Sequence, residues 1–443
     1  MLDQIHLPFL FPKLGSDRLH TMLSLSSLLS LLLISALSTR HIEVAHSTTH
    51  PTDTQLLKDL KNGLHPRSVT PGSCLSSWDF RFDPCDNIFT DRFTCGFRCD
   101  VVVSGFSRVT DISLDQAGYS GSLPPSSWDI PYLQTLDLSY NSLSGSLPDS
   151  LSNLTRLRRL SLSKNSFAGE IPSSLGSLSL LEELCLDSNR LSGRIPLIFK
   201  DLINLKRLEL QENNLDGEFP DLSQLGNLYF LDVSDNQIAG EFPASFPASL
   251  IELSMRNNGL KGDLPERIGE LGFLQVLDLS RNNLSGIIPS ALFDHKSLQQ
   301  LTLSHNNFSL LQIPDDLGAQ SKLIAIDLSH NSLHGLLPTF MASIPKLSSL
   351  SLENNRFSGM IPSKFALRLA VSGDETVSLK RLLLGGNYLF GPIPAQMMGL
   401  KPGSANVSLV DNCLYTCPDT FFFCRGGDQK SWLDCKGFGP QAH

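Results

Sequence analysis

From residue 101 onward the apolar positions recur in one order. Two or three leucines alternate with polar residues, an asparagine follows, and then come leucine, glycine and proline. The phrase stands as LQTLDLSYNSLSGSLP from Leu133 to Pro148, LEELCLDSNRLSGRIP from Leu181 to Pro196 and LQVLDLSRNNLSGIIP from Leu274 to Pro289. Alternation with period two predicts a short strand with one buried face. The asparagine marks a tight inward turn, where its amide can satisfy backbone groups that the turn leaves unpaired. The glycine permits a backbone that a side chain forbids. The proline fixes an extended segment before the outer turn.

The asparagines are Asn141, Asn165, Asn189, Asn213, Asn236, Asn258, Asn282, Asn306, Asn331, Asn355, Asn387 and Asn412, with Ala117 in an earlier degenerate copy. From Asn141 to Asn355 is 214 residues in nine steps, or about 24 each. That is the leucine-rich repeat pattern and period, in about thirteen copies. No copy can bury its leucines alone, so stacking makes the core. Leu310 is the one exception in the glycine column. Between Asn355 and Asn387 the step lengthens to 32 residues. The extra sequence, within Ser363–Lys380, falls between the proline and the next strand and is expected to be a loop on the convex side.

With its G-x-[IL]-P ending, the phrase resembles the plant extracellular type of leucine-rich repeat, over residues 53 to about 435. The resemblance implies an α/β solenoid: a right-handed superhelix with a concave parallel β-sheet, a second, shorter sheet and disulfide-bonded terminal caps. That family includes receptor-kinase ectodomains, receptor-like proteins and polygalacturonase inhibitors. The chain most resembles short secreted members without a kinase, and it holds no VAIK, HRD or DFG phrase. Its head, SWDFRFDPCDNIFTDRFTCGFRC, departs from the C-x-W-x-G-V-x-C of the receptor kinases.

Met22–Leu37 carries no charge, follows Lys13 and Arg18, and precedes small residues at Ser38 and Ser47. That order predicts a secretory signal cleaved near one of those serines. The alternative is an uncleaved anchor that holds the chain on the outer face of the plasma membrane. The expected organisation is leader 1–47, N-terminal cysteine cap 48–100, repeats 101–412 and C-terminal cysteine cap 413–443. Asp53–Leu64 has helix spacing, with Asp53 as N-cap and Gly63 as stop.

Cys74, Cys85, Cys95 and Cys99 precede the repeats, and Cys413, Cys417, Cys424 and Cys435 follow them. Four at each end suit two disulfides at each end, as expected outside the cytoplasm. Local loops favour Cys74–Cys85 and Cys95–Cys99; the C-terminal pairing stays open among three connectivities. Neither set has the paired CxxC of a zinc ribbon. Cys185 is left over, between Leu184 and Leu186 on the open face, and reads as a tolerated small residue rather than a reactive thiol. The sequons at Asn153, Asn283, Asn307 and Asn406 are expected glycan sites.

Thirty-five basic against 44 acidic residues give a net charge of −9, which argues against nucleic acid. Asp137, Glu209, Asp232, Asp278 and Asp327 stand between the leucines, but a broad open sheet excludes no water, so an enzyme is not expected, nor a cofactor or metal. The reading is a binder of a peptide or protein in the cell wall space, with a membrane receptor kinase as partner for any signalling. An inhibitor of microbial wall-degrading glycosidases and a structural wall protein are the alternatives. Two adjacent aromatics, Tyr229 and Phe230, with Asp232 and Asp235, are flanked by Lys206, Arg207 and Glu209 on one strand and Arg256 on the other. Aromatics ringed by both signs of charge are the composition of a binding surface. Asp278, and His305 and His330 in one column further along, complete the candidate ligand-binding residues.

Overall fold

The computed structural model describes residues 47–438, apart from 127, 317 and 371–376. The apolar run Met22–Leu37 lies outside the described residues. Among those described, no helix is long and apolar enough to cross a membrane. The chain from Ser47 onward is one compact unit, a solenoid built on a 14-stranded sheet. The first strand, Phe97–Arg98, runs antiparallel to Asp111–Ser113. From there to Asn406–Ser408 every pairing is parallel, one strand per repeat. Register is in phase: Leu184 stands beside Leu208, and Cys185 beside Glu209. Leucine therefore stacks on leucine behind the sheet, and the polar positions form columns on its concave face.

The turn after each strand holds the stack together. Asn213, almost fully buried, donates its amide to the carbonyls of Leu186 (3.0 Å), Leu210 (3.1 Å) and Gln211 (3.3 Å). Its Oδ1 accepts from Leu191 N in the preceding repeat at 2.9 Å. The same four bonds recur at Asn189 and Asn236. The residue before each asparagine is left-handed, from Tyr140 (φ 56°) through Glu212 (φ 56°) and His330 (φ 54°) to Asp411 (φ 52°). Only in the Asn387 repeat does glycine, Gly386, take that place. Non-glycine residues resist this conformation, so the asparagine bonds must hold it. The ladder ends on a stand-in: Gln429 accepts from Leu414 N at 3.2 Å and donates to Leu409 O at 3.2 Å, the bonds a next asparagine would make.

The second sheet lies in three pieces, starting at Ser120–Ser122, Ala239–Glu241 and His334–Leu336. Both breaks fall where the spacing leaves 24: Asn213 to Asn236 is 23 residues and Asn306 to Asn331 is 25. Leu310 does not adopt the positive φ of the glycines in its column, and the pairing of Asn283–Ile288 with Asn307–Leu311 shifts register there. Elsewhere the missing Cβ makes room for a neighbour: at Gly193 (φ 76°) it would lie 3.0 Å from the Glu170 side chain of the previous coil.

Three expectations need correction. Helix α1, Pro51–Asn62, is capped by His50, whose ring accepts from Thr52 N; Asp53 is in the first turn. Asp53 is fully buried and takes a bidentate bond from Arg108 (3.0 and 2.7 Å) and a third from Val109 N (2.8 Å). A carboxylate this deep needs a guanidinium more than a helix end needs a cap. Gly63 does end the helix. The N-terminal disulfides are Cys74–Cys95 and Cys85–Cys99, not the local pairs. Trp78 donates to Cys95 O at 2.8 Å and packs edge-on against Phe97, which folds the second pair of cysteines back onto the first. At the other end Cys413 pairs with Cys435 and Cys417 with Cys424.

The third correction is the insertion. Its start is helix α2, Ser363–Ala370, with Phe365, Ala366 and Leu369 buried. Arg368 is buried with them, and its guanidinium donates to the carbonyls of Ala342, Ile344, Leu347 and Val377. The segment is a packed element of the convex side; 371–376 lie outside the described residues.

Asn213→Ala is expected to lower stability by about 1–3 kcal/mol, the cost of leaving buried backbone groups unpaired. Asn214→Ala, at an exposed position, should shift the urea midpoint little. Equal midpoints would refute the ladder as the main tie.

The concave face around Tyr229 as candidate functional site

The strands Arg207–Glu209, Phe230–Asp232 and Glu252–Ser254 are consecutive. Their register sets Arg207 beside Phe230 and Phe230 beside Glu252, with Glu209, Asp232, Ser254 and Asp278 along the next column. The structure thus brings together Lys206, Arg207, Glu209, Tyr229, Phe230, Asp232, Asp235, Arg256 and Asp278. Tyr229 is 38% exposed. Phe230 is half-buried, because the Arg207 guanidinium lies over its ring, 3.6 Å from the centroid. Arg207 also pairs with Glu209. The expected pair of open aromatics is therefore one open tyrosine beside a guanidinium–phenyl stack.

Most charges here are already matched. Lys206 and Arg158 both pair with Glu182 (2.6 and 2.5 Å), and Arg256 pairs with Asp235. Asp232, Glu252 and Asp278 make no salt bridge among the described residues. Asp232 and Asp278 each accept only from the residue two further on, Ser234 N and Ser280 N and Oγ. Burial holds the Asp232 carboxyl above its usual pKa, with the charges of Glu209 and Asp235 adding to it. Burial and then the Asp232 charge do the same to Glu252. The face therefore presents carboxylates that stand outside any salt bridge among the described residues, beside Tyr229, with the Arg207 charge partly offsetting the rise at Glu252. Sequence gave each of these side chains, but not which of them would neutralise one another, since that depends on side-chain reach across strands.

His305 and His330 lie apart from this group, three and four strands beyond Phe230–Asp232, or about 14–19 Å at ordinary strand spacing. Their rings stack at 4.0 Å and 9°. Burial, the neighbouring His330 and then Arg281 lower the pKa of His305. His330 Nε2 lies 3.1 Å from the Asn354 amide.

Cys185 is almost fully buried, 3.7 Å from a Glu209 oxygen. Burial, then Glu209 and Glu183, push its thiol up to about 12. The thiolate is the reactive form, so the free cysteine is inert here. Asn153, Asn283, Asn307 and Asn406 are all exposed. Asn307 and Asn283 share a column, their amides bonded at 2.5 Å. Asn406 is on the last strand of the concave sheet, where a glycan would stand at the edge of that face. Native protein at pH 7.5 should resist alkylation by iodoacetamide at Cys185 over hours and react within minutes in urea. Rapid native labelling, read by intact mass, would contradict the burial argument.

Comparison with known proteins agrees with this architecture. One leucine rich repeat family profile matches residues 117–167 and 248–308, and a second matches 180–202, 227–248 and 346–367. Neither is a catalytic family. No curated protein matches the chain. Among solved structures, the plant peptide hormone receptor RGFR1 in complex with RGF2 is 34% identical, with a TM-score of 0.61 over 67% of this chain. A TDR receptor is 27% identical, with a TM-score of 0.55 over 69%. The chain spans 46% and 60% of those two structures. A plant ice-binding protein, 22% identical with a TM-score of 0.51, shares the fold over 87% of this chain and 99% of its own. With its stacked parallel coils, asparagine ladder and matching profiles, this chain is a leucine-rich repeat protein that resembles plant leucine-rich repeat receptor ectodomains.

Proposed function

We propose that the protein is an extracellular recognition module that binds a peptide or protein segment on its concave face, around Tyr229, Asp232, Glu252 and Asp278. The observation that carries this reading is a group of carboxylates outside any salt bridge beside an exposed aromatic, while the neighbouring Lys206 and Arg256 are already paired. A segment offering a basic side chain would bring these carboxylates a direct salt-bridge partner, and Tyr229 would cover its apolar stem. RGFR1, a plant peptide hormone receptor solved in complex with RGF2, supports a peptide-binding role. The four disulfides and the expected signal at Met22–Leu37 support secretion into the cell wall space. A membrane receptor kinase is the partner we propose for signalling.

The test is selection of peptides from a displayed library on the purified secreted protein, followed by calorimetry of the enriched sequences. Enrichment of lysine or arginine is expected. Tyr229→Ala with Phe230→Ala should weaken binding at least tenfold without moving the melting temperature, since both side chains lie outside the core. Peptides that bind this variant as tightly as the parent would place the ligand elsewhere.

The pH dependence has a definite sign. Asp232 and Glu252 have raised carboxyl pKa values, so they take up protons before ordinary carboxylates as pH falls. Affinity for a basic peptide should be full at pH 7 and decline on acidification through that raised range. In Asp232→Asn with Glu252→Gln the decline should shrink. A profile that is unchanged in this variant would remove both carboxylates from the site.

A further inference from the structure

A second surface lies away from the concave face. It is an apolar groove of about 1090 Å³ on the flank of the last repeats. Its rim is Leu310, Ile313, Leu336 and Met360, which are 40%, 64%, 76% and 63% exposed. Its floor is Leu337, Phe340 and Phe357, all buried core residues. Pro338, Pro362, Pro392 and Pro394 stiffen the walls. Strand pairing between His334–Leu336, Arg356–Gly359 and Tyr388–Gly391 fixes them further. The groove is therefore formed before any ligand arrives.

The fold itself does not require this apolar rim. The residue after the column glycine is Ser122, Ser146, Glu170, Arg194, Glu218, Glu241 and Asp263 in seven successive repeats. It then becomes Ile287, Leu311, Leu336, Met360 and Pro392. The seven earlier coils stack with a polar side chain in this position, so stacking cannot explain the change. Exposed apolar surface of this extent marks a binding site.

The lining selects the occupant. No lining side chain carries a formal charge, and His334 is the single ionisable one. An ion would lose its hydration with nothing to replace it. A peptide would bring a donor and an acceptor with every residue, against only Thr339, Ser363, Gln396 and His334 as polar side chains in the lining. The wall strands already spend backbone groups on each other. A mostly apolar cavity with a few polar groups, at the upper end of the usual ~300–1,000 Å³, is the form of a small-molecule site. Met360 on the rim is flexible enough to close over such a ligand. We propose that this groove binds a neutral, largely hydrocarbon small molecule with one or two hydrogen-bonding groups. The site is separate from the concave face and does not rest on the function proposed above.

The test uses the intact secreted protein and the neutral dye Nile red. Saturable binding of one dye per chain is expected. Leu336→Glu with Met360→Glu should weaken it at least tenfold, because a charge then stands on each side of the groove. Leu197→Glu, at a leucine 74% exposed on another part of the chain, should leave it unchanged. If the double variant melts lower than the parent, the single Met360→Gln must still show a loss of affinity. Native mass spectrometry with a long-chain alcohol and the fatty acid of the same length gives the second measure. The alcohol should be retained and the carboxylate excluded. No saturable dye binding, equal binding by the rim variant, or equal retention of alcohol and carboxylate would each overturn the proposal.

Discussion

The asparagine amide that bridges successive coils is the interaction on which the structure depends. Every turn after a strand forces one residue into the left-handed region and leaves carbonyls of two coils and an amide N–H facing inward. One side chain, with two donors and an acceptor, closes all of these at once. The bonds cross between repeats, so no coil is satisfied alone. That cooperativity sets the spacing, and the spacing aligns the columns.

A ladder of this kind has two raw ends, and the caps answer them differently. At the N-terminal end there is no asparagine to continue the series. Asp53 and Arg108 join α1 to the first coils through a buried ion pair, and the Asp115 carboxylate takes the Tyr119 hydroxyl at 2.6 Å. At the C-terminal end Gln429 reproduces the missing asparagine from a segment that is not a repeat. Two disulfides then hold each cap. Each tie closes a loop of the unfolded chain and so lowers its entropy.

Columns also explain why one protein carries two unlike surfaces. On the concave sheet, opposite charges on neighbouring strands lie within reach, and most of them pair. The carboxylates of Asp232 and Glu252 are left outside this pairing. On the flank the column glycines make room for the side chain of the preceding coil. A change of residue type down that one column therefore turns a polar flank into an apolar groove.

The sequence by itself determined the repeat, the short strand with one buried face, the leucine core and the ladder, because each follows from local period and from the hydrogen-bonding inventory of asparagine. It also placed Tyr229, Phe230 and the surrounding charges on one face, since strand alternation decides which way a side chain points. It did not reveal that Arg207 covers Phe230, that Lys206 and Arg256 are already paired, or that Asp232 and Glu252 stand outside any salt bridge among the described residues. Nor did it give the Cys74–Cys95 and Cys85–Cys99 pairing, the burial of Asp53 against Arg108, or the packing of α2 through Arg368. These were decided only by tertiary structure, because each depends on distances between residues brought together from separate coils, and a chain's local pattern carries no record of those distances.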